Sequence, residues 1–121
     1  MISISGDGGF LFGVQELATA VQHGINVVSC LFNNSAFGNV RRDQLNTYRG
    51  RLIGSELRNP DFVKLAESFG AAAYRVRTPG EFRPALEKAL AAGAPAVIEV
   101  MVERGSEASP WPFLHPSFDA R

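Results

Sequence analysis

A chain of 121 residues, 45% hydrophobic and 20% charged, has the size and composition of one globular domain. Its 12 basic and 12 acidic residues cancel, so charge gives no support to a nucleic-acid partner, and no window reaches the ~18 apolar residues of a membrane span. One cysteine, Cys30, excludes a disulfide framework, and a start without the basic flank and apolar stretch of a signal peptide points to the cytoplasm.

Ile2 to Ser5 reads as the end of a strand that runs into the glycine cluster Gly6-Asp7-Gly8-Gly9. A helix is expected next, with Phe10, Val14, Leu17, Ala18 and Val21 on one face and Gly24 as its stop. Asn26 to Phe32 reads as a buried strand, with Cys30 as a small core residue inside it. Strand, helix and strand with short joints make a βαβ unit, and continuous apolar strands under helices imply a parallel sheet.

Residues 35–58 form a stretch of 24 residues with weak periodicity, too long for an idle connection and therefore functional or partly helical. It sets Arg41, Arg42, Arg49, Arg51 and Arg58 against only Asp43 and Glu56. A solvated basic surface and contact with an anionic ligand or partner subunit both fit that balance. Asn59-Pro60 reads as a cap followed by a first-turn proline, opening a helix whose face is Phe62, Leu65, Ala66 and Phe69 and whose end is Gly70. Ala71 to Val76 is the third expected strand. Thr78-Pro79-Gly80-Glu81 has the form of a capping box, before a helix that turns Phe82, Leu86 and Leu90 inward and stops at Gly93. Pro95 to Val102 is the last strand, and Ser109-Pro110-Trp111-Pro112-Phe113 is too rich in proline for regular structure. The expected organisation is an α/β domain over residues 1–103 and a proline-rich tail over 104–121.

The glycine cluster sits where a strand turns into a helix, a place where backbone N–H groups gather around phosphate. Leu11 occupies the position where the dinucleotide fingerprint needs its third glycine, which argues against nicotinamide or flavin. Asp7 is the informative residue, because a carboxylate in a phosphate cradle repels the ligand unless a divalent cation stands between them. Mg²⁺ takes hard oxygen ligands, and Asn34, at the end of the second strand, emerges at the same carboxyl edge of a parallel sheet as Asp7. Taken singly, Asp7 is a helix-capping aspartate and Asn33-Asn34 a strand-ending turn. His23 reads as a favourable charge at a helix end, while His115, Trp111 and Phe113 receive no catalytic role.

The pattern Gly6-Asp7-Gly8, then 24 residues, then Asn33-Asn34, with a strand before each half and a helix between, resembles the signature of thiamine-diphosphate-dependent enzymes. From Ile2 to Val102 the chain is similar to the carboxyl-terminal cofactor domain of the acetolactate synthase and benzoylformate decarboxylase group; Gln15-Glu16-Leu17 also matches. The resemblance implies a three-layer fold, a parallel sheet with helices on both faces, incomplete at its N-terminus. It implies thiamine diphosphate and Mg²⁺ as cofactors, with Asp7, the Asn34 side chain and the backbone oxygen of Ala36 as metal ligands. Gly6, Gly8, Gly9 and Phe10 would approach the diphosphate, and Phe37 and Gly38 would run beside the cofactor. Enzymes of this kind deprotonate the thiazolium C2, add it to a 2-oxo acid, lose CO₂, and then protonate the product or join it to a second carbonyl.

The activating glutamate of such enzymes lies on a pyrimidine-binding domain, usually of a partner subunit, so the resemblance implies a homo-oligomer and no catalytic residue in this chain. The chain alone is accordingly expected to be inactive. Val40 stands where pyruvate decarboxylases carry a glutamate, which favours carboligation or another 2-oxo acid chemistry. Asp43 stands where biosynthetic acetolactate synthases place a tryptophan, a departure from that subclass. A cofactor-binding subunit of a split enzyme and a non-catalytic nucleotide-binding module are the other readings of the same site.

Overall fold

Four strands form one sheet: β1 (Ile2–Gly6), β2 (Val28–Asn33), β3 (Ala72–Val76) and β4 (Ala96–Met101), in the order β1-β2-β4-β3. The computed structural model describes residues 1–106 and Leu114; the expectations placed on Ser109 to Phe113 and on His115 fall outside the described residues. All three strand pairings are parallel. The helices are α1 (Asp7–Gly13), α2 (Glu16–Gln22), α3 (Gly38–Asn46), α4 (Phe62–Ser68) and α5 (Pro79–Ala91).

The direction of travel across the sheet reverses between β3 and β4, and right-handed crossovers then send the intervening helix to the opposite face. α5 accordingly packs Ala89, Phe82 and Leu86 over Val28, Cys30, Val76 and Ile98. On the other face, Leu17 of α2 and Phe62 and Ala66 of α4 meet Leu31 and Val97 of the sheet. This is the three-layer α/β arrangement that the apolar runs imply. β1 is an edge strand, and on the α5 side its Ile2 and Ile4 remain 48% and 74% exposed.

Several boundaries differ from the sequence expectation, each for a local reason. The single helix expected from Phe10 to Val21 is two helices, because Leu17 N–H bonds to Val14 O and Ala18 N–H to Gln15 O. Those tight i to i−3 turns interrupt the α-helical ladder. The break rotates Ala18 into solvent and brings Ala20 to the buried face instead. Leu90, expected to face inward, is 40% exposed, and Ala89 is the buried residue of that turn. The second strand starts at Val28 rather than Asn26 and runs on through Asn33, whose side chain is buried. The cap of α4 is Asp61, not Asn59: its carboxylate accepts from Val63 N–H at 3.2 Å and Lys64 N–H at 3.3 Å. Asn59 has a different engagement, described below.

The 24-residue stretch is partly helical, with α3 inside it, and α3 buries no residue of its own. It is fastened through Gln44, whose amide nitrogen donates to Ile53 O at 2.9 Å and whose amide oxygen accepts from Ser55 Oγ at 2.7 Å. Residues 35–37 and 55–57 also pair over a short antiparallel bridge, with Phe37 N–H donating to Ser55 O and Leu57 N–H to Ser35 O, both at 2.9 Å.

Phe62 is fully buried and meets Phe10 edge-to-face at 5.8 Å, joining α4 to α1. Phe62→Ala should lower the unfolding free energy by about 3–5 kcal/mol, measured by denaturant titration. A loss under about 1 kcal/mol, the scale of a surface change, would contradict this placement of the core.

Candidate functional site

At the carboxyl ends of β1 and β2, Gly6, Asp7, Phe32, Asn34, Ala36, Gly38, Asn39 and Val102 line one cavity of about 310 Å³. Open α/β sheets collect ligands at this edge. Asp7 is 2% exposed. Its Oδ1 accepts the Gly8 N–H at 3.0 Å and its Oδ2 accepts an amide hydrogen of Asn59 at 2.7 Å. Among the described residues no arginine or lysine comes within ion-pair range of it. A carboxylate removed from water without a counter-charge is costly, so the cavity beside Asp7 suits a cation from outside the chain.

Asn33 and Asn34 do different work. Asn33 points into the protein: its Nδ2 donates to Glu99 Oε1 at 2.7 Å, and its Oδ1 accepts from Ser35 N–H and from Asn59 Nδ2, each at 3.0 Å. Ser35 takes a φ of +56°, a left-handed turn that a small polar residue tolerates when its neighbours hold it. That turn swings Asn34 and Ala36 to the cavity, where Asn34 Oδ1 accepts the Ala36 N–H at 3.1 Å. Arg104 clamps the outside of the same turn, donating to Asn34 O at 3.2 Å and Ser35 O at 3.0 Å, with Glu56 Oε1 at 3.3 Å.

Beneath the cavity lies a polar cluster that the sequence reading did not single out. Glu99, 2% exposed, stands on β4 beside Arg75 of β3, the two being register partners. Arg75 Nε donates to Glu99 Oε2 and its Nη2 to Asp61 Oδ1, both at 2.7 Å. The Glu99 carboxylate, with Asp61 adding to it, holds the Arg75 proton more tightly than usual. The Lys64 backbone N–H, and then Arg75, hold the Asp61 carboxyl below the usual 3.8. The signal was present in the sequence: a charge inside the apolar run Ala96 to Met101 demands a buried partner, and Arg75 is the one basic residue within the third strand.

The structure therefore brings Gly6, Asp7, Asn34, Ala36 and Gly38 to one cavity. Phe37 lies against Gly8: a β-carbon there would fall 2.7 Å from Phe37 Cδ1 and 2.9 Å from Cζ, and nearer still to Cε1. The same ring stacks on Phe12 at 6.4 Å. Gly9 follows Gly8 in the first turn of α1, where backbone N–H groups lack helical partners. The Phe10 side chain packs into the core against Phe62 and does not line the cavity. Of the basic stretch, Arg41 lies 3.7 Å from Glu56 and Arg42 3.8 Å from Asp43, while Arg49, Arg51 and Arg58 are exposed. Val40 and Asp43 line a separate surface hollow with Gln44, Tyr48, Arg51 and Ile53. Burial pushes the Cys30 thiol up, in keeping with a packing role. No helix among the described residues is long and apolar enough to cross a membrane.

Fold and site together define a parallel α/β binding domain whose cavity opens at the carboxyl ends of its strands and offers oxygen ligands around one uncompensated carboxylate. Residues 1–100 match the family model described as the C-terminal thiamine pyrophosphate (thiamine diphosphate) binding domain of thiamine pyrophosphate enzymes. The chain belongs to this family. It is 42% identical over 106 residues to a probable acetolactate synthase large subunit of Methanocaldococcus jannaschii, covering 85% of this chain and 18% of that protein. It is 40% identical over 103 residues to an acetolactate synthase of Bacillus subtilis, again covering 85% and 18%. Among solved structures, the thiamine diphosphate-dependent 4-hydroxybenzoylformate decarboxylase of Rhodococcus jostii RHA1 superposes with a TM-score of 0.80 at 35% identity, over 88% of this chain and 20% of that one. The chain thus spans about a fifth of the length of the proteins it matches.

Two measurements probe this geometry. Gly8→Ala forces the Phe37 ring to move, and overpacking of this kind costs about 1–3 kcal/mol; unchanged Phe37 ring signals in NMR would refute the contact. The second concerns acid. Because the folded-state pKa of Asp61 lies below its unfolded value, its stabilisation is complete above about pH 5 and is lost as pH falls through the folded value. Asp61→Asn keeps a capping side chain but no titrating group, so its stability should fall less steeply as pH drops below about 4 than that of the parent chain. Parallel acid limbs in pH-dependent denaturation would contradict this.

Proposed function

We propose that this chain is the thiamine diphosphate- and Mg²⁺-binding domain of a 2-oxo acid decarboxylase or carboligase, acetolactate synthase-like. The observation that carries the reading is the condition of Asp7, buried without a counter-charge among the described residues in a cavity shared with Asn34 and Ala36. A divalent cation would supply the missing charge and let Asp7 stand beside a diphosphate. Asp7 offers a carboxylate oxygen, Asn34 its side-chain oxygen and Ala36 its backbone oxygen, a hard set that leaves places for diphosphate and water on Mg²⁺. No group of three or more histidine, cysteine, aspartate or glutamate side chains gathers among the described residues, so a site here relies on neutral oxygens to complete its shell, as Mg²⁺ sites commonly do.

When bound, thiamine diphosphate supplies the nucleophilic carbon and electron sink that allow a 2-oxo acid to lose CO₂. This chain's own part is to bind and orient. Asp7, Asn34 and Ala36 would hold the cation, and Gly8 and Gly9 would present backbone to the diphosphate; Gly38 lines the cavity, and Phe37 packs on Gly8. Activation falls to a glutamate on the pyrimidine-binding domain of a partner subunit, which makes the working enzyme a cytoplasmic homo-oligomer. The names of the acetolactate synthase relatives support carboligation and that of the solved decarboxylase supports decarboxylation, and Asp43 leaves any acceptor open.

Isothermal titration with thiamine diphosphate should give binding that requires Mg²⁺ and is lost in Asp7→Ala. Tight binding that survives chelation would overturn the cation bridge. The chain alone should release no CO₂ from pyruvate; measurable release would move the activating group into this chain.

A further inference from the structure

We propose that Asn59 is a positioning residue for this site, setting both of its halves by donating one amide hydrogen to Asp7 and the other to Asn33. The inference rests on the reading of Asp7 as a cation ligand. Asn59 Nδ2 lies 2.7 Å from Asp7 Oδ2 and 3.0 Å from Asn33 Oδ1. These acceptors stand at the start of α1 and the end of β2, 52 and 26 residues away in sequence, and nothing local would bring them into register.

Each contact fixes one half of the site. With Oδ2 held by Asn59 and Oδ1 by the Gly8 N–H at 3.0 Å, the Asp7 carboxylate cannot rotate, and each oxygen keeps a second lone pair for a cation. Asn33 Oδ1 also accepts from Ser35 N–H at 3.0 Å, so the same amide steadies the turn that presents Asn34 and Ala36. The position requires a neutral group with two hydrogens on one nitrogen. An aspartate would oppose acceptor to acceptor, and a lysine would bring to Asp7 the charge that the cation supplies.

A further observation shows that the donors decide the orientation. Asn59 Oδ1 is buried and has no hydrogen-bond partner among the described residues, a state that an amide ordinarily escapes by flipping. Flipping here would set that oxygen against the Asp7 carboxylate. The backbone is equally constrained: a residue before proline is restricted to extended conformations, and two positions on, Asp61 is anchored by the α4 cap and by Arg75 at 2.7 Å.

The test uses the 121-residue chain with Mn²⁺ as probe, free Mn²⁺ being read by electron paramagnetic resonance in the presence of thiamine diphosphate. Asn59→Ala should raise the Mn²⁺ dissociation constant about 10- to 100-fold, and Asn59→Gln, which keeps the amide, should recover part of the loss. A residue that only stabilises the fold would lower the thermal midpoint and leave that constant unchanged, which would overturn the proposal. In the metal-free chain, the Asn59 side-chain amide protons should exchange slowly and shift in Asp7→Ala. If the parent chain takes up no Mn²⁺, the cation reading falls, and this second measurement still decides for or against Asn59. Amide protons that exchange as fast as those of a free asparagine, or that ignore Asp7→Ala, overturn it.

Discussion

Two carboxylates among the described residues, Asp7 and Glu99, are taken out of water, and the difference in how they are compensated organises the rest. Glu99 meets the Arg75 guanidinium at 2.7 Å and an Asn33 amide at 2.7 Å, so its charge is answered within the protein. Among the described residues Asp7 receives only neutral donors, from Gly8 and Asn59. A buried ion pair is a weak source of stability but is strongly destabilising when half of it is removed. Glu99 and Arg75 therefore act as a fixed internal reference, while in the proposed function Asp7 holds its charge in reserve for a cation.

The reference is wired to the reserve. From Asn59 the hydrogen bonds pass to Asn33, to Glu99, to Arg75 and to Asp61, and the backbone through Pro60 closes the ring. Three strands, the starts of α1 and α4 and the turn after β2 thereby share one polar circuit. The sheet makes it possible, because Asn33, Glu99 and Arg75 alternate onto the face that carries Leu31, Val97 and Ala73, the face covered by α1, α2 and α4. Satisfied networks of this type rigidify a core beyond the sum of their bonds.

The parts of the domain that were legible in the sequence are those written in local patterns. Apolar runs gave all four strands, and the Thr78 and Glu81 pair marked the start of α5, where Glu81 accepts from Arg77 N–H at 2.7 Å. The Gly6-Asp7-Gly8 and Asn33-Asn34 motifs located the cavity, since each is complete within a few residues. What stayed hidden was set by distance. Asn59 looks like a helix cap when only Pro60 is considered, and its partners lie 26 and 52 residues earlier. The break at Val14 and Gln15 was equally invisible, because apolar spacing across Phe10, Val14, Leu17 and Val21 continues through it while the backbone hydrogen bonds do not.

The order Asn59-Pro60 also bears on how this site ages. Asparagine side chains lose their amide when the backbone nitrogen of the next residue attacks the side-chain carbonyl and closes a five-membered imide. Proline has no backbone N–H and cannot make that ring. Conversion of Asn59 to aspartate would set a second carboxylate against Asp7 and break the bridge between the two loops. The residue that follows it closes the ordinary chemical route to that damage, so the amide is protected for as long as the chain itself persists.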